Sequence, residues 1–382
     1  MATNHQVRKN KFMNVAEIFA PGDFIQEELD ARGWTQVEFA EVMGRSQKLV
    51  SQLITGKVAI TPETAVQLGD ALGTGPELWM NLESQYQLSK VKVANNVISR
   101  RAKLYEVFPV REMIKRRWIE ASENIEVLEQ QFMNFFGMTA MTDSPGFAHA
   151  AKKSSPAEAT SMVQLAWLFK AKALASSQVL GKYKKDSLQK ALPQLHALLT
   201  APEETRHVAK ILSACGVRFV FVEAMPSSKI DGACFWINQA QPVIALSLRF
   251  DRIDNFWFVL RHEIEHVLQG HGQDTGFILD EDIEGFDPGN LNLEEEMANA
   301  VAREFCVPKA ELDGFVARVS PYFSEERINL FAQRLGIHTG IVAGQLRKKL
   351  GRYDRWNQHL AKIRHIAIKS APSDGWGLIE NS

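Results

Sequence analysis

The chain has 382 residues, of which 45% are apolar and 23% are charged, and its formal net charge is −1. This length exceeds what one hydrophobic core usually organises, and it indicates two or three domains of ordinary globular composition. The near-zero net charge excludes a chain that is committed as a whole to one charged partner, although a local charged patch remains compatible with it.

The cysteines and the first residues narrow the expected compartment. Cys215, Cys234 and Cys306 are widely spaced and odd in number, which excludes a disulfide framework and a paired-cysteine metal knuckle. The opening residues MATNHQVRKNKFMNV hold no apolar core of a signal peptide, and no apolar run reaches the roughly 18 residues of a membrane span. We therefore expect a cytoplasmic protein with free buried thiols and no membrane partner.

Short helical patterns separated by glycines predict a five-helix domain over residues 21–88. Thr35 is a natural N-cap, and Glu38 three residues later completes a capping box. Gly44 ends the second helix and Ser46 caps the third, so a tight glycine-containing turn joins the two helices. This pattern is typical of a helix-turn-helix.

The outer face of the third helix carries side chains that can read DNA. Amide, hydroxyl and cationic groups there can reach base edges in the major groove, and they are Gln47, Lys48, Ser51 and Gln52. Three more residues lie at helix starts or in a loop, where phosphate contacts usually form: Gln36, Ser46 and Lys57. The alternative is a small helical bundle for protein contacts, with a polar face that is only solvated.

The segment resembles the helix-turn-helix domain of the Cro/repressor superfamily, in the HigA-type antitoxin branch. The resemblance rests on PGDFIQEELDARGWTQVEFAEVMG and ITGKVAITPETAVQLGDALGTGPELWMNLESQYQL. It implies binding to operator DNA, usually as a homodimer at a palindrome. Its positive charge is modest, because Lys48 and Lys57 stand near Glu38 and Glu41. The basic stretch 90–117 either adds affinity for DNA or is an ordinary solvated helix face.

The rest of the chain predicts a multidomain, mostly helical protein with one small α+β domain. A basic helical middle segment is expected over 89–200, with a linker at 142–156 and no assigned function. A domain over 201–350 and a tail over 351–382 follow. Three β-branched and aromatic runs predict strands, namely VRFVFVEAM (217–225), GACFWIN (232–238) and PVIALSL (242–248).

After the strands, a helix is expected from about residue 255, with Asp254 as its N-cap. It carries HEIEH, in which His262 and His266 share one helix face and can bind one metal ion. Glu263 is rotated away from the histidines and can act as general base toward a water on the metal. The alternative is a solvated helix with two surface histidines, which apolar flanks such as FWFVL disfavour.

A third metal ligand is required. The position six residues after the second histidine is Gly272, and His271 is one residue short, so a third histidine ligand in the metzincin arrangement is disfavoured. A glutamate from the later helix LEEEMANAVAREFCV can serve instead, and Glu294, Glu295 and Glu296 compete. We predict Glu295, because it is four residues before Asn299, which can hydrogen-bond a ligand histidine.

These residues resemble the ImmA/IrrE metallopeptidase family over about residues 205–345. The likeness rests on His262, Glu263 and His266, and on the E-x-x-A-N pattern that begins at Glu295. It implies a minimal zincin-like domain with a small β-sheet, one Zn²⁺ per chain and proteolysis of a repressor-type protein. The motif leaves the proton donor open, with His271 and Tyr322 as candidates.

Three functions are compatible with the sequence. The first is a DNA-bound regulator whose zinc-dependent peptidase cuts itself or a repressor-type protein in a stress, phage or toxin–antitoxin response. The second is a HigA-like antitoxin and autorepressor, in which the metal domain is a sensor or a scaffold for a cognate toxin and does not turn over. The third is an interaction module with a vestigial site.

Overall fold

The computed structural model describes residues 19–90, 97–143, 151–153, 160–273, 277–281 and 293–376. The chain divides into two compact units, Met1–Val97 and Ile98–Ser382.

The first unit is helical, and its described part confirms the predicted five-helix domain. Its core contains fully buried Leu29, Phe39 and Trp79. The helices are α1 (Pro21–Arg32), α2 (Gln36–Val42), α3 (Gln47–Ile54), α4 (Pro62–Leu72) and α5 (Pro76–Lys90).

Local capping defines the second and third helices as predicted. The backbone N–H of Glu38 donates to Thr35 Oγ1 at 3.2 Å, and Glu38 Oε2 accepts from the Thr35 N–H at 2.7 Å. Gly44 has a φ of +61°, a left-handed conformation that a side chain would strain. Ser46 Oγ accepts from the Leu49 N–H at 3.3 Å and starts α3. The turn between α2 and α3 is therefore encoded locally.

The second unit combines helices with one sheet, as the predicted fold class requires. Its strands are β1 (Ala151–Lys153), β2 (Arg218–Phe221), β3 (Ile230–Trp236), β4 (Pro242–Leu246) and β5 (Phe277–Glu281). Its helices are α6 (Val97–Val107), α7 (Val110–Lys115), α8 (Ile125–Phe136), α9 (Met162–Ser176), α10 (Lys185–Ala197), α11 (Val208–Ala214), α12 (Ile253–Gln269), α13 (Leu293–Cys306), α14 (Lys309–Val319), α15 (Glu325–Leu335), α16 (Thr339–Leu350) and α17 (Arg364–Ala367). Short 3-10 helices cover Leu198–Thr200, Pro202–His207 and Asn357–His359.

The strand order in the sheet is β1-β5-β3-β4-β2. β2 runs parallel to β4, whereas β3 is antiparallel to both β4 and β5, and β1 is parallel to β5. The three predicted strands correspond to β2, β3 and β4. The sequence did not predict β5, and β1 lies inside the expected linker at 142–156.

Both faces of the sheet are covered by helices. Phe219 and Phe221 of β2 belong to the core that includes α12, whereas Val220 and Val222 belong to the core that includes α8 and α9. This alternation follows from the two-residue period of a strand. The second core contains Phe132, Trp167 and other apolar residues of the middle segment, so these helices form the outer layer behind the sheet.

Parts of the middle segment and of the C-terminal segment pack against the sheet. The Phe221 N–H donates to the Pro372 carbonyl at 2.9 Å, and the Asp374 N–H donates to the Phe221 carbonyl at 3.2 Å. Ile363 and Ile368 are buried in the core. A sheet with two apolar faces needs both layers, which explains why these segments fold onto it. The four functional domain boundaries stay predictions.

Helix α12 is buried on all sides, with every residue from Ile253 to Leu268 buried. It begins one residue before Asp254, so the predicted N-cap at Asp254 is wrong. Arg252 occupies the N-cap position, and Asp254 instead accepts two hydrogen bonds from the Arg252 guanidinium at 3.1 and 2.8 Å. This charge-assisted pair takes the carboxylate away from a capping role.

The three cysteines are free and buried, as expected. None of the helices in the described ranges combines the length and the apolar character that crossing a membrane requires.

Candidate functional site

Two histidines converge inside the second unit. His262 and His266 are one turn apart on α12, both are 0% exposed, and their Nε2 atoms lie 2.9 Å from each other. The i, i+4 spacing on a helix brings the two rings to the same face. The Nδ1 atom of His266 lies 2.9 Å from His271 Nδ1, so His271 orients this ring from the residues just after α12.

Two carboxylates from other elements meet these nitrogens. Glu295 of α13 places its Oε2 atom 3.2 Å from His262 Nε2 and its Oε1 atom 3.5 Å from His266 Nε2. Asp280 of β5 places its Oδ2 atom 3.2 Å from His262 Nε2 and 4.0 Å from His266 Nε2. The four donor atoms all lie within 4.8 Å of one another.

Glu263 lies beside this cluster and is 0% exposed. Neither of its carboxylate oxygens has a hydrogen-bond partner among the described residues. Gly232 of β3 makes room for it, because a Cβ atom there would lie 2.2 Å from Glu263 Oε1. A buried, unpaired carboxylate next to a group of nitrogen and oxygen donors is costly unless the site has a chemical use for it.

The first unit presents the side chains expected to face DNA. Gln47 and Lys48 are exposed on the first turn of α3, and Ser51 and Gln52 are partly exposed on the next turn. Of the residues expected at phosphates, Ser46 and Lys57 are exposed and Gln36 is partly exposed. The individual DNA contacts stay predictions.

Comparisons with known proteins match two separate parts of the chain. A helix-turn-helix family model matches residues 25–79, and the M78 peptidase model, described as an IrrE N-terminal-like domain, matches residues 216–347. The uncharacterised HTH-type transcriptional regulator YddM of Escherichia coli (strain K12) is 39% identical over 80 residues, which are 21% of this chain and 85% of YddM. The chain belongs to the helix-turn-helix family and carries an IrrE N-terminal-like domain.

Two further proteins are similar to this helix-turn-helix protein over less than a quarter of its length. Antitoxin HigA-1 of Vibrio cholerae is 38% identical over 68 residues, which are 18% of this chain and 64% of HigA-1. The chain thus spans slightly less than two thirds of that relative. A Pseudomonas aeruginosa protein, solved in complex with its operator DNA, is 25% identical with a TM-score of 0.20, over 24% of this chain and 95% of that one.

The IrrE-like domain fits a metal ion on the chemistry of its donors. Two imidazoles and two carboxylates are a donor set that Zn²⁺ accepts. A tetrahedral ion with ligand bonds of about 2.1 Å holds its donor atoms about 3.4 Å apart. The five donor separations given above run from 2.9 to 4.0 Å and bracket this value.

The buried carboxylates of the IrrE-like domain favour a positive charge among them. Burial by itself lowers the pKa of His262, but the charges of Asp280 and Glu295 outweigh it and raise this pKa to about 10. Burial by itself raises the pKa of Glu295, but hydrogen bonds with His262 and His266 bring it below the usual range. Burial raises the pKa of Glu263 well above its usual range, and the negative charge of Asp280 adds to this.

The structure brings the predicted residues His262, His266, Glu263 and Glu295 together. Of the three competing glutamates, Glu295 is buried, whereas Glu294 is partly exposed and Glu296 is exposed. The sequence missed Asp280. The only local signal for it is a carboxylate in the short apolar strand β5, two residues after Ile278.

The role of Asn299 behind a ligand histidine stays a prediction. Asn299 is 5% exposed on α13, one turn after Glu295. Within the described residues, Asn299 Oδ1 and His262 Nδ1 are both buried without a hydrogen-bond partner. These are the acceptor and donor types that the predicted bond needs. The candidate proton donor Tyr322 is 80% exposed, between α14 and α15.

Several cations of the basic stretch 90–117 have partners inside the second unit. Arg100 pairs with Glu126 and Glu129, and Arg116 is buried against Glu112. Carboxylates compensate these two arginines, and whether the other cations of this stretch add affinity for DNA stays a prediction.

Proposed function

We propose that this protein is a DNA-binding transcriptional regulator whose IrrE-like domain is a zinc-dependent peptidase. The helix-turn-helix domain binds an operator as a homodimer, and the peptidase cuts a repressor-type protein or the chain itself. The proposal rests on one observation above all. His262, His266 and Glu295 converge in a buried cluster, and the unpaired carboxylate of Glu263 lies next to it.

In this proposal His262, His266 and Glu295 hold one Zn²⁺ per chain. A zinc ion supplies Lewis acidity, polarising a peptide carbonyl and lowering the pKa of water. Glu263 accepts a proton at its carboxylate and passes it to the leaving amine. Burial raises the pKa of Glu263, which makes its carboxylate a stronger proton acceptor. Asn299 and His271 orient the histidines.

DNA binding in this proposal uses α3. Gln47, Lys48, Ser51 and Gln52 contact base edges, and Gln36, Ser46 and Lys57 contact phosphates. The similarity to YddM and to HigA-1 supports a role at an operator. Because half-sites one helical turn apart need two reading helices, the regulator acts as a dimer.

The proposal is tested with zinc-loaded protein and its Glu263→Gln variant. Each is incubated alone and with candidate repressor proteins of the same host, and products are identified by intact-mass spectrometry. We expect cleavage by the unchanged protein and a loss of about 10²–10⁴-fold in the variant, the usual contribution of a general base. Equal cleavage by both proteins contradicts the proposal.

Zinc content provides a second measurement. Glu295→Ala is expected to lose stoichiometric zinc, whereas Glu296→Ala, a matched glutamate on the exposed face of α13, retains it. Full zinc in Glu295→Ala contradicts the assigned ligand set.

A second candidate function is a HigA-like autorepressor whose metal domain is a sensor or a toxin scaffold. The specific observation in its favour is that the four donor residues are at most 2% exposed, which is typical of metal sites that do not turn over. It predicts bound zinc, DNA affinity that changes on chelation, and no cleavage that depends on Glu263.

A further inference from the structure

Asp280 is a buried carboxylate on β5 that faces α12. Its neighbour Leu279 belongs to the core of α8 and α9, so Asp280 points to the opposite side of the sheet. In the β3–β5 register Asp280 lies opposite Gly232. Gly232 has no side chain, which lets α12 approach the sheet closely at this point.

Asp280 is 0% exposed, and neither of its oxygens has a hydrogen-bond partner within the described ranges. Its Oδ2 atom lies 3.2 Å from His262 Nε2 and 4.0 Å from His266 Nε2. Glu263, Asp280 and Glu295 are buried together, and burying several carboxylates in one place costs several kcal/mol unless cations compensate them. A cation bound by both His262 Nε2 and Asp280 Oδ2 would explain this cost and the short distance between the two atoms.

The position of Asp280, like that of Glu295, is compatible with a metal ligand. Its oxygen lies 3.2 and 4.0 Å from the two histidine nitrogens, compared with 3.2 and 3.5 Å for the oxygens of Glu295. The separation expected between ligands of a tetrahedral zinc ion is about 3.4 Å. Two carboxylates with two neutral imidazoles also balance a divalent charge, which matters in a site without solvent.

We propose that Asp280 is a fourth protein ligand, which closes the metal site and holds the peptidase in a resting state. This inference rests on the proposed function. Four protein ligands fill a tetrahedral zinc site, whereas catalytic sites keep one position open. Glu263 and the metal ligands are buried in the same way, so a peptide does not reach them in this state. Cleavage then requires Asp280 to leave the metal.

Cobalt-loaded full-length protein tests this directly, because the visible absorption of Co²⁺ reports its coordination. Acetohydroxamate, a small metal-binding probe, is titrated into the unchanged protein, Asp280→Ala and the isosteric Asp280→Asn. We expect the unchanged protein to keep its spectrum, and Asp280→Ala to shift on addition of the probe. Zinc affinity should fall at least about tenfold in both variants, since losing even a group that only orients a ligand costs about 10–100-fold.

Asp254→Asn is the matched control, because Asp254 is a buried carboxylate at the start of α12 that pairs with Arg252. It should bind zinc like the unchanged protein. If the unchanged protein already responds to acetohydroxamate, or if both Asp280 variants keep full zinc affinity, the fourth ligand is overturned. Asp280→Asn preserves this test should Asp280→Ala fail to fold.

The peptidase proposal can be contradicted independently of the proposal that Asp280 is a metal ligand. If the spectra establish the closed site, but zinc-saturated Asp280→Ala shows no cleavage that depends on Glu263, then the peptidase is overturned and Asp280 stands as a ligand of a sensor site. Faster cleavage by Asp280→Ala than by the unchanged protein supports both proposals.

Discussion

Gly232 decides how closely the motif helix can lie against the sheet. A Cβ atom at this position would lie 2.2 Å from Glu263 Oε1 and 2.9 Å from Val259 Cγ1. Both contacts are side-chain atoms of the buried helix α12, so a Cβ atom at this position would force Glu263 to move. The absence of one methyl group therefore sets the position of the candidate general base.

Gly232→Ala is expected to lower the free energy of unfolding by about 1–3 kcal/mol, the usual cost of overpacking a core. Glu263 would be displaced as well, so cleavage should fall while zinc binding persists. Urea unfolding and zinc titration measure the two effects. Gly181→Ala is the control, because nothing lies within 4 Å of a Cβ atom there. Indistinguishable unfolding of the two variants contradicts the argument.

The sequence predicted most residues of the candidate metal site, but it did not predict Asp280. His262, Glu263 and His266 are linked by helical spacing, and Glu295 follows from a local pattern with Asn299. Asp280 has no such link. Its approach to His262 depends on the pairing of β5 with β3, a contact between strands far apart in sequence, and local periodicity contains no information on it.

Helix α3 owes its exposed reading face to its caps and its packing. Val50 and Leu53 are buried against the unit's core, so the residues between and before them point outward. Ser46 fixes the start of the helix through its bond to the Leu49 N–H. The positive end of the helix dipole at this start favours a phosphate nearby.

Two substitutions are expected to separate base recognition from phosphate binding. Gln47→Ala should cost about 1–3 kcal/mol at the operator and relax the preference for one base pair. Lys57→Ala should weaken binding to all sequences and reduce the slope of log affinity against log salt by about 0.9. Mobility-shift titrations at several salt concentrations, with DNA from upstream of the gene, measure both.

Gln130→Ala provides the control, because this exposed amide lies on α8 in the other unit. It should leave both affinity and salt slope unchanged. A loss of the same size in Gln130→Ala and Gln47→Ala would contradict base reading by α3.

Elements with strong local signals were predicted, and elements without them were not. Residues close in sequence determine three of these features, namely the capping box of α2, the turn at Gly44 and the apolar runs of β2 to β4. β1 spans only Ala151–Lys153, which includes no β-branched residue, and it exists through its pairing with β5. The misassigned N-cap at Asp254 has a local origin, since the nearby Arg252 binds its carboxylate.

At the scale of the second unit, charged groups attach its C-terminal segment to the sheet. Asp374 lies 3.5 Å from Arg116, and Glu223 just after β2 lies 3.3 Å from Arg364. Burial raises the pKa of Glu223 to about 7, the nearby Asp374 adds to this, and Arg364 and Arg116 oppose it. Burial also raises the pKa of Asp374.

These raised pKa values predict that the free energy of unfolding decreases as pH rises from about 5 to about 7. The folded state keeps a proton on Glu223 up to about pH 7, whereas the unfolded chain releases it near its ordinary pKa of 4.5. Between these two values the folded state binds more protons, so its stability falls with increasing pH. Glu223→Gln should flatten this dependence between about pH 5 and 7. Urea midpoints over this range measure it, and equal slopes would contradict the assignment.

The burial of the metal cluster has a kinetic consequence. His262, His266 and Asp280 are 0% exposed and Glu295 is 2% exposed, so within the part of the chain that the structure describes these ligands are closed to solvent. Loading and chelation then proceed only when the surrounding structure opens transiently, and the frequency of opening limits both rates. In the zinc-bound form proposed above, the ion is therefore expected to exchange slowly even when the concentration of free zinc changes quickly.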